Sequence, residues 1–312
     1  MFVTDLREYA GSIGLCGLGV APPTGEVIRT YPWARSVICT ALPYLPPEEP
    51  LNDNRPRGLV ARFARSVDYH VVMNRKLLSL SQVILSECRN ARLETCVDTS
   101  PLPERMLAIL SGIAFRGWNA NVFVEGYGSW VVLGEIVTDL DLVTHSDPNL
   151  NTCAECGECL KKCPTGAITE PYVVDKRRCL SAITQRRGSI PTDLRPKLEN
   201  RIYGCDACQE VCPLNKDILP CTPEFAERTF PGAHPDLLKL ISITDEDFDK
   251  HVRRSSIGWI GRDRIRRNAA VAAGNLGNPE AIPVLVELVR TGGPLLAEHA
   301  NWAIDVIKNR RH

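Results

Sequence analysis

The run Cys153-x2-Cys156-x2-Cys159-x3-Cys163-Pro164 carries the most specific chemistry in this sequence. Three thiolates on one tight turn can hold three irons of a 4Fe–4S cube, while the fourth reaches across to a second cluster. A second run, Cys205-x2-Cys208-x3-Cys212-Pro213, lacks a leading cysteine: Ile202 stands in that place. Cys179 is the other thiol inside the same stretch. The crossing rule therefore gives Cys153, Cys156, Cys159 and Cys212 to cluster one, and Cys163, Cys179, Cys205 and Cys208 to cluster two. Pairs of CxxC also build zinc ribbons, but the repeated CxxxCP ending and the compact triple-cysteine turn favour iron–sulfur. Two clusters in series mean electron transfer, and the rest of the chain must say where the electrons go.

Thirteen cysteines in 312 residues are many for a protein whose thiols stay reduced, and eight of them lie between Cys153 and Cys212. Cys16, Cys39, Cys88, Cys96 and Cys221 are scattered and read as small buried hydrophobes. The charge is balanced, 37 basic against 37 acidic side chains, which excludes a globally basic nucleic-acid coat and leaves room for local basic patches. A hydrophobic content of 44% suffices for real cores, and no apolar run approaches the roughly 20 residues that span a bilayer. The start, MFVTDLREYAG, has no basic region, apolar stretch or twin arginine, and reads as cytoplasmic without a targeting segment. There is no GxGxxG opening a helix, no Walker loop and no DxHxxG, so neither a dinucleotide, nor ATP, nor that mode of cobalamin ligation is indicated.

The elements that must position these groups fall into three units. Residues 1–145 read as an α/β domain: a buried strand at 36–42, an amphipathic helix over 67–88, a short strand Thr95–Asp98, a helix over 102–114 opened by Pro101 and Pro103, and strands at 122–124 and 130–133 joined by the turn Gly126-Tyr-Gly128. Residues 146–222 form the cysteine module, with so little apolar material that the metal sites are expected to be its core. Residues 223–312 read as short helices with Gly-Asn-Pro punctuation, similar to HEAT-type repeats. Too few units are present for a free solenoid, so the helices are expected to pack on the rest of the chain. The overall class is a multidomain α+β protein.

With these motifs in place, the chain resembles the epoxyqueuosine reductase family. The resembling residues are Ala61-Arg-Phe-Ala with Asp68-Tyr-His70, Val97-Asp-Thr-Ser-Pro101 with Glu104-Arg105, Tyr127-Gly-Ser-Trp130, and Leu133-Gly-Glu-Ile-Val-Thr-Asp139. Cys163-Pro-Thr-Gly-Ala-Ile168, Asn200-Arg-Ile-Tyr-Gly-Cys-Asp206, Arg267-Asn-Ala-Ala-Val-Ala, Glu298-His299 and Trp302-Ala303 continue it. The resemblance implies a base-off cobalamin between the first domain and two 4Fe–4S clusters, and a tRNA whose wobble base loses an epoxide oxygen. It also implies Asp98 as proton donor, its pKa expected to rise near RNA and a buried corrin, and Tyr127, Gly128, Ser129 and Trp130 near the corrin, with Tyr69 and His70 lining the same pocket. Each has a plainer reading beside it: Asp98 as a helix cap, the Tyr-Gly-Ser-Trp stretch as a turn with a core tryptophan, His70 as a structural residue.

Arg253, Arg254, Arg262, Arg264, Arg266 and Arg267 face a single aspartate in residues 251–270, and Lys176, Arg177, Arg178, Arg186 and Arg187 form a second basic run. Both are expected to contact tRNA phosphates, against the plainer reading of solvated faces. Trp259 either stacks or is buried. An external low-potential donor, a ferredoxin or flavodoxin, and a monomeric state complete the expectation. Against the family pattern, Trp118 stands where a lysine is usual, which leaves open a sister cobalamin reductase of dehalogenase-like or corrinoid-activating type. A ferredoxin-type carrier would leave the first domain without a purpose.

Overall fold

A computed structural model of the chain describes residues 2–48, 50, 55–98, 100–142, 152–226 and 230–310. Four antiparallel strands form the main sheet: β1 (Gly17–Ala21), β2 (Ser36–Pro43), β3 (Leu93–Cys96) and β4 (Val131–Thr138), in spatial order β1-β2-β4-β3. Alternation along β2 and β4 splits the core in two. Ile38, Leu42 and Ile136 point to helices α1 (Phe2–Ser12) and α2 (Tyr69–Glu87). Val37, Cys39 and Val137 point to α3 (Glu104–Leu110). Both faces are covered, which is why every residue of β2 is buried.

The two expected helices are present with trimmed ends, the strand expected at 95–98 lies two residues earlier, at Leu93–Cys96, and the one expected at 130–133 runs on to Thr138. One pairing differs from expectation: Val122–Phe123 pairs with Phe115–Arg116 and meets the next turn only through a bridge between Val124 and Gly128. The hairpin therefore lies outside the sheet's hydrogen bonding, packs Val122 and Val124 against Ala41, Val131 and Leu133, and leans on the cysteine module through Trp118 and Asn119.

Within that module the short helices Glu158–Lys162 and Ala207–Glu210, each following a cysteine turn, pack on one another. Contrary to the expectation of a metal-only core, Leu180, Ile183, Ile190, Leu194 and Leu198 form an apolar core of their own, shared with Val271. Helices α4 (Arg262–Leu276), α5 (Ile282–Thr291) and α6 (Gly293–Asn309) pack together at the C-terminal end.

The units interlock more than residues 145 and 222 imply as boundaries. Leu59–Val60 pairs in parallel with Arg201–Tyr203, and Val60 and Ala64 sit in the C-terminal core. Phe225 in turn packs into the first domain's core. Residues 143–151, which hold the first boundary, lie outside those described.

Candidate active site and cluster module

Asp98 follows β3 by two residues and sits at the mouth of the sheet. Its φ of 50° is left-handed, a conformation Asp tolerates better than most residues yet one that stores strain. It does not cap the following helix, whose N-cap is Pro103. Instead the Tyr69 hydroxyl donates to Asp98 Oδ2 at 2.7 Å, and His70 Nε2 lies 3.6 Å from the same oxygen. The carboxylate keeps 61% of its surface open. The Asp98 amide donates to Glu104 Oε1 at the start of α3.

Tyr69 and His70 are held by the first turn of α2. Asp68 caps that helix, accepting from the His70 amide at 3.0 Å, and its Oδ1 lies 2.7 Å from His70 Nδ1. The two rings stack at 4.1 Å. An Asp68–His70–Asp98 line results, and its electrostatics follow from the contacts. The bond to Asp68, then the proximity of Asp98, lift His70 to about 9. Burial pulls Asp68 up, but the His70 ring and amide hold it below its ordinary value. The His70 ring, ahead of the Tyr69 hydroxyl and Arg105, holds Asp98 below the usual carboxylate range against the pull of burial. In the protein alone, without the RNA and corrin for which a raised Asp98 is expected, Asp98 is the anion and His70 holds the proton. Burial, then the Asp98 charge, pushes Glu104 up to about 7.

The Tyr127–Trp130 stretch lies at the seam with the cysteine module. Ser129 and Trp130 are buried, and they bind the first domain to the module. Asn215 Oδ1 accepts from the Ser129 amide at 2.7 Å, and Ser129 Oγ donates to Gln209 Oε1 at 2.9 Å. Gly128 has φ 59°, and a Cβ there would lie 2.1 Å from Asn215 Oδ1, so no side chain fits. Trp130 meets Tyr44 edge-on and carries the Arg62 guanidinium over its ring at 5.1 Å.

Electrostatic neighbourhood gathers the thiols of the module into two groups. The thiol neighbours that act on Cys208 are Cys205, Cys179 and Cys163. Those acting on Cys159 are Cys153 and Cys212, and those acting on Cys212 are Cys153 and Cys156. All are free thiols, and the Ala167 amide donates to Cys163 Sγ at 3.2 Å, a bond type that tunes cluster sulfurs. Among the described residues no three His, Cys, Asp or Glu side chains close on one ion-sized point. A cube asks for no such point, because each of its four irons takes a separate thiolate. The residues present fit two cubes. Cys156 is exposed while burial pushes Cys205 up to about 11, so the first group faces solvent and the second lies deeper.

The Phe115–Phe123 hairpin ties these pieces together. Trp118 and Asn119 line a cavity with Cys153, Cys156, Cys159 and Cys212. Asn119 Nδ2 donates to the Cys208 carbonyl at 3.3 Å, and Arg105 donates to the Ala120 carbonyl at 2.7 Å. Arg105 adjoins Glu104, so one connected path runs from the Asp98 loop to both thiol groups. Nothing in the cysteine spacing announces this role for Asn119.

The six arginines divide. Arg267 is fully buried and donates to the carbonyls of Arg186 at 2.9 Å, Gly188 at 2.5 Å and Ile183 at 3.2 Å, so its assignment to tRNA contact is withdrawn. Burial pulls it down to about 10. Arg266 is mostly covered and donates to the Ile241 carbonyl, so it too is taken up by the fold. Arg262 is half-buried and pairs with Asp245 at 3.0 Å. Arg253 and Arg254 are exposed, the former paired with Asp249. Arg264 donates to the Gln185 carbonyl at 2.6 Å and acts electrostatically on Arg187, which brings the two basic runs together. Lys176, Arg177, Arg178 and Arg187 are exposed and Arg186 is half-buried. Trp259 keeps 61% of its surface open, with its Nε1 donating to the Tyr203 hydroxyl at 2.8 Å and Arg264 over its ring. Tyr203 touches Phe63, and Phe63 touches Tyr69, so an aromatic row joins this basic face to Asp98.

Residues 26–99 match the family domain described as "Epoxyqueuosine reductase QueG, DUF1730", and residues 152–215 match the "4Fe-4S double cluster binding domain". The epoxyqueuosine reductase of Escherichia coli K12 is 37% identical over 90% of this chain and 75% of its own length. The chain belongs to the epoxyqueuosine reductase family. The Bacillus subtilis member is 35% identical over 88% of this chain and 72% of its own. The Staphylococcus aureus member is 33% identical over 97% and 88%. A crystal structure of an epoxyqueuosine reductase with an epoxyqueuosine-modified tRNA-Tyr stem loop superposes with a TM-score of 0.91 at 31% identity, covering 97% of this chain and 89% of that one. A B. subtilis structure whose catalytic aspartate loop is swung out of the active site superposes at 0.89 with 30% identity, covering 97% and 90%.

Proposed function

We propose that this chain is an epoxyqueuosine reductase, removing the epoxide oxygen of epoxyqueuosine at the wobble position of a tRNA to give queuosine and water. The observation that carries the reading is a strained, open Asp98 held by Tyr69 and His70 and tied through Asn119 to eight thiols in two groups of four. Cys153, Cys156, Cys159 and Cys212 would hold one 4Fe–4S cluster; Cys163, Cys179, Cys205 and Cys208 the other. A bound base-off cobalamin would supply a strong nucleophile and reductant at low potential. The open rim at Tyr69, His70 and Asp98 fits as this chain's side of its site. His70 Nδ1 is taken by Asp68, while its Nε2 lies 3.6 Å from Asp98 Oδ2 without a hydrogen bond.

The protein's own part is proton handling and positioning. Carbon–oxygen cleavage needs a proton on the departing oxygen, and Asp98 is the open acid placed to give it. Phosphates approaching this corner raise the pKa of Asp98 and of His70 alike, so tRNA binding favours proton uptake by Asp98 beside an already protonated His70. Tyr69 fixes the carboxylate's orientation. Arg187, Arg264 and Arg254 with Trp259 form the face for the anticodon arm, combining phosphate neutralisation with a ring for base stacking. Electrons come from an external ferredoxin or flavodoxin, entering by the exposed first thiol group. The chain acts as a monomer in the cytoplasm, and among the described residues no helix is long and apolar enough to cross a membrane.

Nucleoside analysis of tRNA from a deletion strain tests the reading. Epoxyqueuosine should accumulate and disappear on complementation. An unchanged queuosine profile in the deletion strain would end it.

A further inference from the structure

Trp118 stands at the tip of the Phe115–Phe123 hairpin, at the place where a lysine is usual in the family. The tip sets two adjacent residues on two different groups of thiols. Asn119 Nδ2 donates to the carbonyl of Cys208, in the second group. Trp118 lines a cavity with Phe123 and with all four thiols of the first group, Cys153, Cys156, Cys159 and Cys212. Among the described residues no charged side chain lines that cavity.

The sequence fixes this tip locally. A Cβ on residue 117 would lie 2.4 Å from Phe123 Cε2, so Gly117 lets the Phe123 ring close up against the backbone. Phe123 in turn stacks on Phe115 at 5.6 Å. The Gly117 amide donates to the Asn121 carbonyl, and the Tyr172 amide donates to the Trp118 carbonyl, each at 2.9 Å. Beside the same thiols, Lys161 and Glu158 pair with each other at 2.8 Å and keep 69% and 42% of their side-chain surface open. Their charges are therefore spent on one another and on water, and the aromatic wall decides what the first group feels.

A cube held by four thiolates is a net anion, and reduction adds one more negative charge. Water or a nearby cation favours that added charge; an aromatic wall excludes both. The first group is the more open of the two, since Cys156 is exposed and no thiol of the second group is. Solvent on all sides would raise its potential and make the step to the deeper group uphill. We propose that Trp118 sets the potential of the first cluster, holding it low enough for electrons to pass inward to the second. The inference rests on the reductase reading above for its two clusters and its external one-electron carrier. The step moves one electron from that carrier through the first site to the second; no bond is made or broken and no proton is transferred. A lysine at this place would put an ammonium beside four thiolates and raise the potential, so the departure from the family pattern falls on electron supply.

Redox titration of the cluster-loaded full-length protein, followed by electron paramagnetic resonance without tRNA, tests this. Trp118→Lys should favour reduction of one cluster about tenfold, a rise of about 59 mV for a one-electron couple, and leave the other midpoint in place. Trp118→Phe should leave both midpoints where they are. Full iron content with unmoved midpoints in Trp118→Lys overturns the proposal. So does a fall in midpoint in Trp118→Phe, because the indole N–H would then be a donor to the cluster and not a dry wall. Should Trp118→Lys lose iron, Trp118→Gln decides: it admits water without a charge, and an unmoved midpoint is the opposing result. Iron far below about eight per chain in the unsubstituted protein fells the cluster reading, and this inference with it. If a modified stem loop stays unreduced, it is the substrate reading that falls, while the midpoints still judge Trp118.

Discussion

Asp98 and Arg267 both stand out in the sequence as charged residues inside distinctive motifs, and the fold uses them in opposite ways. Arg267 is fully buried and spends its donors on backbone carbonyls of the cysteine module, with Asn268 beside it donating to the Thr184 and Ile202 carbonyls at 2.8 Å. Asp98 is left-handed, well exposed, and shares one oxygen between a hydroxyl and an imidazole. A charge whose bonding capacity is consumed by the protein is a joint. A charge held in place with capacity left over is available for chemistry.

The comparison breaks most sharply at Asp98. Asp98→Asn is expected to keep iron content and tRNA affinity and to lose about 10²–10⁴ in turnover; undiminished turnover would remove Asp98 from the proton-donor role. Next in size is Cys179→Ser, which should halve an iron content of about eight per chain by leaving the second cluster a ligand short. Iron analysis after anaerobic reconstitution reads this, and full retention would show that Cys179 is no ligand. Arg267→Ala should cost about 3 kcal/mol in urea unfolding, because several buried carbonyls lose their partner, without changing the salt dependence of tRNA binding. Arg254→Ala should do the reverse, leaving stability intact while lowering affinity a few-fold and the salt slope by about 1.

A pH-dependent effect sharpens the electrostatics. His70 is lifted to about 9 from an ordinary 6.5, so its protonated ring stabilises the fold fully below that lower value. The contribution is lost as pH rises towards 9, and Asp68 and Asp98, both held low, stay ionised throughout this window. His70→Gln should therefore flatten the stability profile over this range by about 1–2 kcal/mol, less than full linkage because the ring retains contact with water. Parallel urea titrations of the two proteins provide the check, and identical slopes would remove the ion pair from the account.

What could be read ahead of the fold was what is local. The cysteine runs encode their own geometry, since spacings of two residues put three thiols on one turn, and pairing by exclusion then reached Cys179. The α2 helix announced itself by periodicity, although Asp68 proved to be its cap and not a member of its first turn. Trp118 left a trace as well, a ring where a lysine is usual, but that it lines the first group of thiols came only from the fold.

The tertiary arrangement decided the rest. A string of arginines has one composition whether its members are solvated or buried, and the division among Arg254, Arg264 and Arg267 came from which carbonyls of the module lay within reach. That Tyr127–Trp130 meets Gln209 and Asn215 came from across the chain, and neither the turn nor the corrin-side reading of that stretch foretold it. The direction of the Asp98 shift turned on a histidine one helix away. Ligand spacing and helical period are properties of neighbouring residues, so the chain carries them by itself; burial and charge proximity are sums over distant ones, so they exist only once it has folded.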